Sequence, residues 1–150
     1  MNNTTNMILS IHPEHAANIL HGLQTVELRR RIPAQLAPGA TIYLYANGHI
    51  QGHVTFAGLN IPPPPGTLRD RWLHYIASPA AMPTAEARAY LDGAKQPCAL
   101  LLRYPVAYDP PHKLNGTPPQ SFRYTTKQPT RVHPSVANYL LYLRTHTPQP

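Results

Sequence analysis

Residues 8–31, ILSIHPEHAANILHGLQTVELRRR, leave this chain few architectural options, because they read as strand, helix, glycine turn and strand in unbroken succession. The apolar run over residues 7–11 feeds a turn at residues 10–12, and Pro13 then occupies a first helical position, where no amide partner is lost. Glu14 follows in the first turn. Ala16, Ile19, Leu20 and Leu23 recur at helical spacing, so residues 13–21 carry one apolar face suited to packing on a sheet. Gly22 supplies the stop. Beyond it, residues 25–31 alternate as a strand does, with Val26 and Leu28 on one side and Thr25, Glu27, Arg29 and Arg31 on the other. Successive residues on one strand face lie roughly 7 Å apart, so Glu27 and Arg29 can act on one ligand or pair with each other. A solvated strand edge would show the same pattern, since charged side chains are mostly surface side chains.

The rest of the chain extends this α+β pattern. Residues 40–46 alternate Ile42, Leu44 and Ala46 against Thr41, Tyr43 and Tyr45, and Asn47 with Gly48 marks a tight reversal. Residues 50–59 resume as a strand in which Gly52 and Gly58 permit bending or close approach. The proline run at residues 61–66 excludes strand interior and helix alike, and reads as a stiff connector within one domain, with a ligand for SH3-like modules as the alternative. Thr67 with Asp70 resembles a capping box for a short helix bearing Leu68, Trp72, Leu73 and Ile76, and Thr84 reads as the cap of a second helix ended by Gly93. Residues 98–108 are apolar apart from Arg103, which predicts a central strand buried on both faces. Residues 109–116 read as a loop, and residues 120–125 as a strand with Phe122 and Tyr124 on one side and Ser121 and Arg123 on the other. A last helix is expected over about residues 134–145 within a C-terminal extension, 127–150, and the first six residues are expected to be disordered. The 19 prolines fall mostly in connectors, as short strands joined by rigid loops require.

Gly22, Gln24, Glu27 and Arg29 resemble the GxKxxExR hallmark of the ASCH family, with glutamine where many members carry lysine. The preceding LSIHPEHAANIL resembles that family's opening strand and helix, and residues 118–124, PPQSFRY, its closing strand. The resemblance spans most of residues 7–126. It implies a PUA-like fold, a small mixed β-barrel flanked by helices, with a cleft along the glycine-motif strand and an association with RNA or modified nucleobases. Some ASCH proteins hydrolyse acylated cytidine nucleosides with a lysine and a threonine of this segment plus a distant glutamate, and others are linked to RNA cleavage. The lysine position here is Gln24 and the threonine position is Glu27, which argues against that amidohydrolase mechanism.

Charge agrees with a polyanionic partner. Lys and Arg total 13 against 6 Asp and Glu, a formal net charge of +7. Arginine outnumbers lysine ten to three, and guanidinium planes both pair with phosphate and stack on bases. The single cysteine, Cys98, lies in an apolar run and implies no disulfide framework, as a reducing, cytoplasmic setting would have it. No apolar stretch reaches the length of a membrane span, and the first residues lack the pattern of a signal peptide.

Nine histidines invite a metal reading, especially His12 with His15 and His49 with His53. The first pair straddles a helix start, and the second would be about 13 Å apart on an ideal strand, too far to share an ion without a bulge. Neither a metal nor any other cofactor is therefore expected. Nor is a Walker loop, dinucleotide fingerprint or nucleophile elbow present. The residues point first to an RNA- or nucleotide-binding module, with DNA as a competing polyanion and any protein partner left open. Arg29 and Arg31 would contact phosphate, and Glu27 would accept hydrogen bonds or orient Arg29. Tyr43 or Tyr45 would stack on a base, and Gln24, Thr25, Gln120, Ser121 and Arg123 would complete the cleft. The alternative is an enzyme acting on RNA or modified nucleosides, with Glu27 as general base.

Overall fold

The computed structural model describes residues 4–131. The elements run β1 (Asn6–Ser10), α1 (Pro13–Leu20), β2 (Val26–Arg29), β3 (Thr41–Ala46), β4 (His49–Asn60), α2 (Thr67–Ala77), α3 (Thr84–Leu91), β5 (Cys98–Leu114), β6 (Phe122–Thr125) and β7 (Thr130–Arg131). Six strands form one mixed sheet in the order β2-β5-β4-β3-β1-β6, and β7 pairs with β5. Among the described residues only β1 and β3 run parallel, with α1 and β2 lying between them in the chain, and the other pairs are antiparallel. The sheet curls into a half-barrel, an α+β fold with three helices among the described residues.

Its curvature is written into β4. The β4–β5 register shifts between Ile50 and Gly52, between His53 and Thr55, and between Phe56 and Gly58, and each irregularity bends the strand and adds twist. At Gly52 the backbones meet: a Cβ there would fall onto the Val106 carbonyl oxygen and the Leu20 side chain. Asn47 and Gly48 both adopt positive φ, 52° and 78°, and close the β3–β4 hairpin.

Two apolar clusters fix the helices. Ile19 of α1 packs with Met7, Leu9, Ile42, Leu44, Phe56 and Leu100, as its helical spacing requires. Val26 and Leu28 pack with Leu73, Ile76 and Ala77 of α2 and with Ala87 and Leu91 of α3. The odd and even residues of β2 thus part company: two enter this cluster, and Glu27 and Arg29 face elsewhere.

Several expectations are corrected. Thr67 and Thr84 are not caps, because each helix starts at that threonine itself; the cap positions fall on Gly66 and Pro83, neither with a side-chain cap bond. Leu68 is 64% exposed, so the buried stripe of α2 is Leu73, Ile76 and Ala77. Strand β5 is central but buried on both faces only near its start; from Arg103 to Ala107 it is exposed, because the antiparallel β2 begins at Val26, opposite Leu101, and reaches no farther along β5, leaving β4 as the neighbour. The segment read as a loop after Tyr108 continues β5 to Leu114, since β7 supplies pairing partners for Lys113 and Leu114. Asn6 lies within β1, and its side-chain oxygen accepts the Thr41 amide at 2.9 Å. The expected helix at about 134–145 lies outside the described residues.

Candidate active site

Three local devices bring β2 against the start of α1. Helix α1 ends in a Schellman motif: the Leu23 amide donates to Asn18 O at 2.8 Å and the Gly22 amide to Ile19 O at 3.1 Å, with Gly22 at φ 78°. The chain therefore reverses within two residues. Gln24 is buried, and its amide nitrogen donates to Val26 O at 2.9 Å, fixing the entry into β2. The Thr25 amide then donates to Pro79 O at 3.0 Å and its carbonyl accepts the Leu102 amide at 2.9 Å, leaving the threonine side chain exposed.

Glu27 and Arg29 line a cavity of about 470 Å³ whose opposite walls are Ser10, Ile11, His12, Pro13 and His15 on one side and Met82, Glu86 and Tyr90 on the other. Glu86 and Tyr90 are one helical turn apart on α3, while Ala87 and Leu91 on its next face enter the core. One short helix thus seals the apolar cluster and walls the cavity.

Glu27 is 5% exposed, and its Oε2 has no hydrogen-bond partner. Burial pushes its carboxyl up from 4.5 to about 7, and the nearby Arg29 guanidinium pulls it back only in part. Arg29 makes no ion pair with it within 4 Å; among the described residues the pair within that distance is Arg88–Asp70 at 3.3 Å. The Arg29 guanidinium instead donates to Ser121 Oγ at 2.6 Å. Ser121 is brought there because its carbonyl accepts the Ser10 amide at 2.9 Å while Ser10 Oγ donates to Pro119 O at 2.6 Å. The residues before β6 are thereby pinned to the end of β1.

The expected site residues divide into groups. Glu27 and Arg29 share the cavity. Arg31, Gln120, Ser121 and Arg123 border an adjacent shallow groove, where the Arg31 guanidinium lies 4.3 Å from the Phe122 ring centroid. The Arg29–Ser121 bond joins the two depressions. Tyr43 and Tyr45 are elsewhere, packed with Ile8 and Ile50, and the Tyr43 hydroxyl donates to Gln128 Oε1 at 3.3 Å. Gln24 lies behind the cavity wall, bonded to His15 at 3.0 Å.

His12 and His15, weighed in the sequence as metal ligands and not as site residues, are cavity residues whose rings lie 6.5 Å apart. The cue was present: both flank a proline-started helix directly preceding the glycine motif. Glu86 and Tyr90 had no such cue, because only the docking of α3 brings them near β2.

No family model matches the chain. It is 32% identical over 131 residues to a curated ASCH domain-containing ribonuclease of Zymomonas mobilis, covering 83% of this chain and 86% of that protein. Crystal structures of the ASCH protein from Zymomonas mobilis superpose with a TM-score of 0.62 at 26% identity, covering 95% of this chain and 96% of that one. A tyrosine-to-phenylalanine variant of it gives 0.64 at 26%, covering 92% and 97%. A serine-to-alanine variant gives 0.65 at 25%, covering 95% and 99%.

Proposed function

This chain belongs to the ASCH-domain family, and from that premise we propose that it binds single-stranded RNA along the cavity and groove and cleaves it at Glu27. The observation that carries this reading is the buried Glu27 carboxyl, with one oxygen unpartnered in a cavity it shares with an arginine. An orphaned buried carboxylate is costly, and its raised proton affinity suits proton abstraction near neutral pH.

In the proposed reaction, ionised Glu27 takes the proton of a ribose 2′-hydroxyl, and the 2′-oxygen forms a bond to the adjacent phosphorus. Arg29, steadied by Ser121, offsets charge on the non-bridging oxygens. The bond from phosphorus to the 5′-oxygen breaks, giving a 2′,3′-cyclic phosphate and a 5′-hydroxyl end. Arg31 and Arg123 in the adjoining groove hold flanking phosphates. The lineage's lysine-dependent hydrolysis is not followed, because Gln24 stands at that position.

The test uses end-labelled RNA, the same strand with 2′-deoxy nucleotides, and DNA. Cleavage of the RNA alone, lost in Glu27→Gln with binding retained, supports the enzyme. The binding-module reading predicts instead a salt-sensitive band shift lost in Arg29→Ala with all three strands intact. Cleavage of the deoxy strand would overturn attack by the 2′-oxygen.

A further inference from the structure

The reaction above leaves the departing 5′-oxygen in need of a proton, and the bonding behind the cavity wall identifies a donor. The Val26 carbonyl can only accept, so the Gln24 amide nitrogen must face it, at 2.9 Å. The Gln24 amide oxygen therefore faces His15 Nδ1, at 3.0 Å. That oxygen too can only accept. His15 Nδ1 must carry the hydrogen, and the neutral ring keeps its lone pair on Nε2. Gln24 is 2% exposed and held on both sides, so this polarity has no room to invert.

We propose that His15 is the second proton-transferring residue of the cavity, acting through Nε2, and that Gln24 is the positioning residue that fixes its tautomer. The proposal rests on the ribonuclease reading and extends it. As the bond from phosphorus to the 5′-oxygen breaks, that oxygen takes the proton from Nε2 of the imidazolium, which becomes neutral imidazole while Glu27 holds the proton of the 2′-hydroxyl. Both groups then reset by exchange with water. Throughout, the bond from Nδ1–H to Gln24 persists, so the ring does not reorient between charge states. The groups sharing this cavity with His15 are His12 at the N-cap of its helix, Glu27 and Arg29 on β2, and Glu86 and Tyr90 on α3.

The position is also where many family members carry lysine. An ammonium can only donate, so Gln24→Lys forces Nδ1 to accept and moves the neutral ring's hydrogen to Nε2. It also disfavours the imidazolium by like charge.

Two measurements test the proposal on the full chain. Ring-nitrogen NMR of uniformly labelled protein, with His15 assigned by His15→Gln, is expected to show a protonated Nδ1 and an unprotonated Nε2 in the neutral ring, and the reverse in Gln24→Lys. An Nε2–H tautomer in the unaltered protein overturns Gln24's role without any reference to activity. In kinetics, His15→Gln should lower kcat about 100-fold with KM changed less than threefold and should abolish the alkaline fall of the pH profile. Retention of kcat and of the alkaline fall in His15→Gln overturns the donor role and leaves Glu27-dependent cleavage standing, whereas absence of cleavage by the unaltered protein removes the ribonuclease reading and the donor role together.

Discussion

Glu27→Gln isolates what a buried, unpartnered carboxyl costs the fold. The folded protein holds this proton up to about pH 7, whereas the unfolded chain releases it near 4.5. Between those values the native state binds more protons than the unfolded state, so stability falls as pH rises and levels off above about 7. A gap of about 2.5 pH units at about 1.36 kcal/mol each amounts to about 3 kcal/mol lost between pH 4 and pH 8. Glutamine carries no charge to desolvate, so Glu27→Gln removes this dependence. Its amide also enters a site with one unpartnered acceptor, at a cost of about 1–3 kcal/mol. That cost is independent of pH, which makes the slope, rather than the offset, the diagnostic quantity. Urea unfolding of both proteins at half-unit steps from pH 4 to pH 8.5 reads it directly. The variant should gain about 3 kcal/mol relative to the parent on going from pH 4 to pH 8. Parallel curves would refute the argument, because they would mean that the carboxyl is solvated or paired in the folded state. In the proposed cleavage, which needs Glu27 ionised, activity should rise through about pH 7, as a pH–rate profile would read.

The remaining expectations concern other links in the same construction. Ser121→Ala should lower RNA cleavage less than Arg29→Ala does, since it removes the 2.6 Å restraint on the guanidinium but keeps its charge; steady-state kinetics of the two variants checks the order. Arg31→Ala should cost about 0.5–1 kcal/mol of stability through loss of the contact on Phe122 and should lower the salt slope of RNA binding by about 0.7, as one lost phosphate contact on a single strand does. Gly52→Ala should destabilise by about 3 kcal/mol in chemical denaturation, because its Cβ meets a backbone carbonyl that cannot step aside. Gly22→Ala meets no neighbouring atom and should cost only about 1 kcal/mol, the penalty of a positive φ of 78° on a residue with a Cβ.

Local rules made much of the first third of the chain legible. Pro13 at a helix start, Gly22 at its end, and the alternation of Val26 and Leu28 against Glu27 and Arg29 depend on neighbours within a few residues, and all of them hold in the fold. The family motif likewise sits in one short segment. Where a cap depended on a one-residue choice of boundary, at Thr67 and Thr84, local reading misplaced it, because the carbonyls of the preceding Gly66 and Pro83 accept the Asp70 and Ala87 amides and close the first turn. Apolar composition made β5 a central strand, but not where its burial stops, since that is set by how far β2 reaches on the neighbouring position of the sheet. The site divides in the same way. Sequence alone put an acid and an arginine on one face of one strand. Tertiary structure decided that this face would close under α1 and α3 into a cavity, and that Ser121, 92 residues away, would steady the arginine. It also decided that Gln24 would hold a histidine in place of a lysine's charge. Periodicity fixes which side a residue faces, but desolvation and hydrogen-bond polarity depend on what arrives on that side, and only the packed chain brings those partners together.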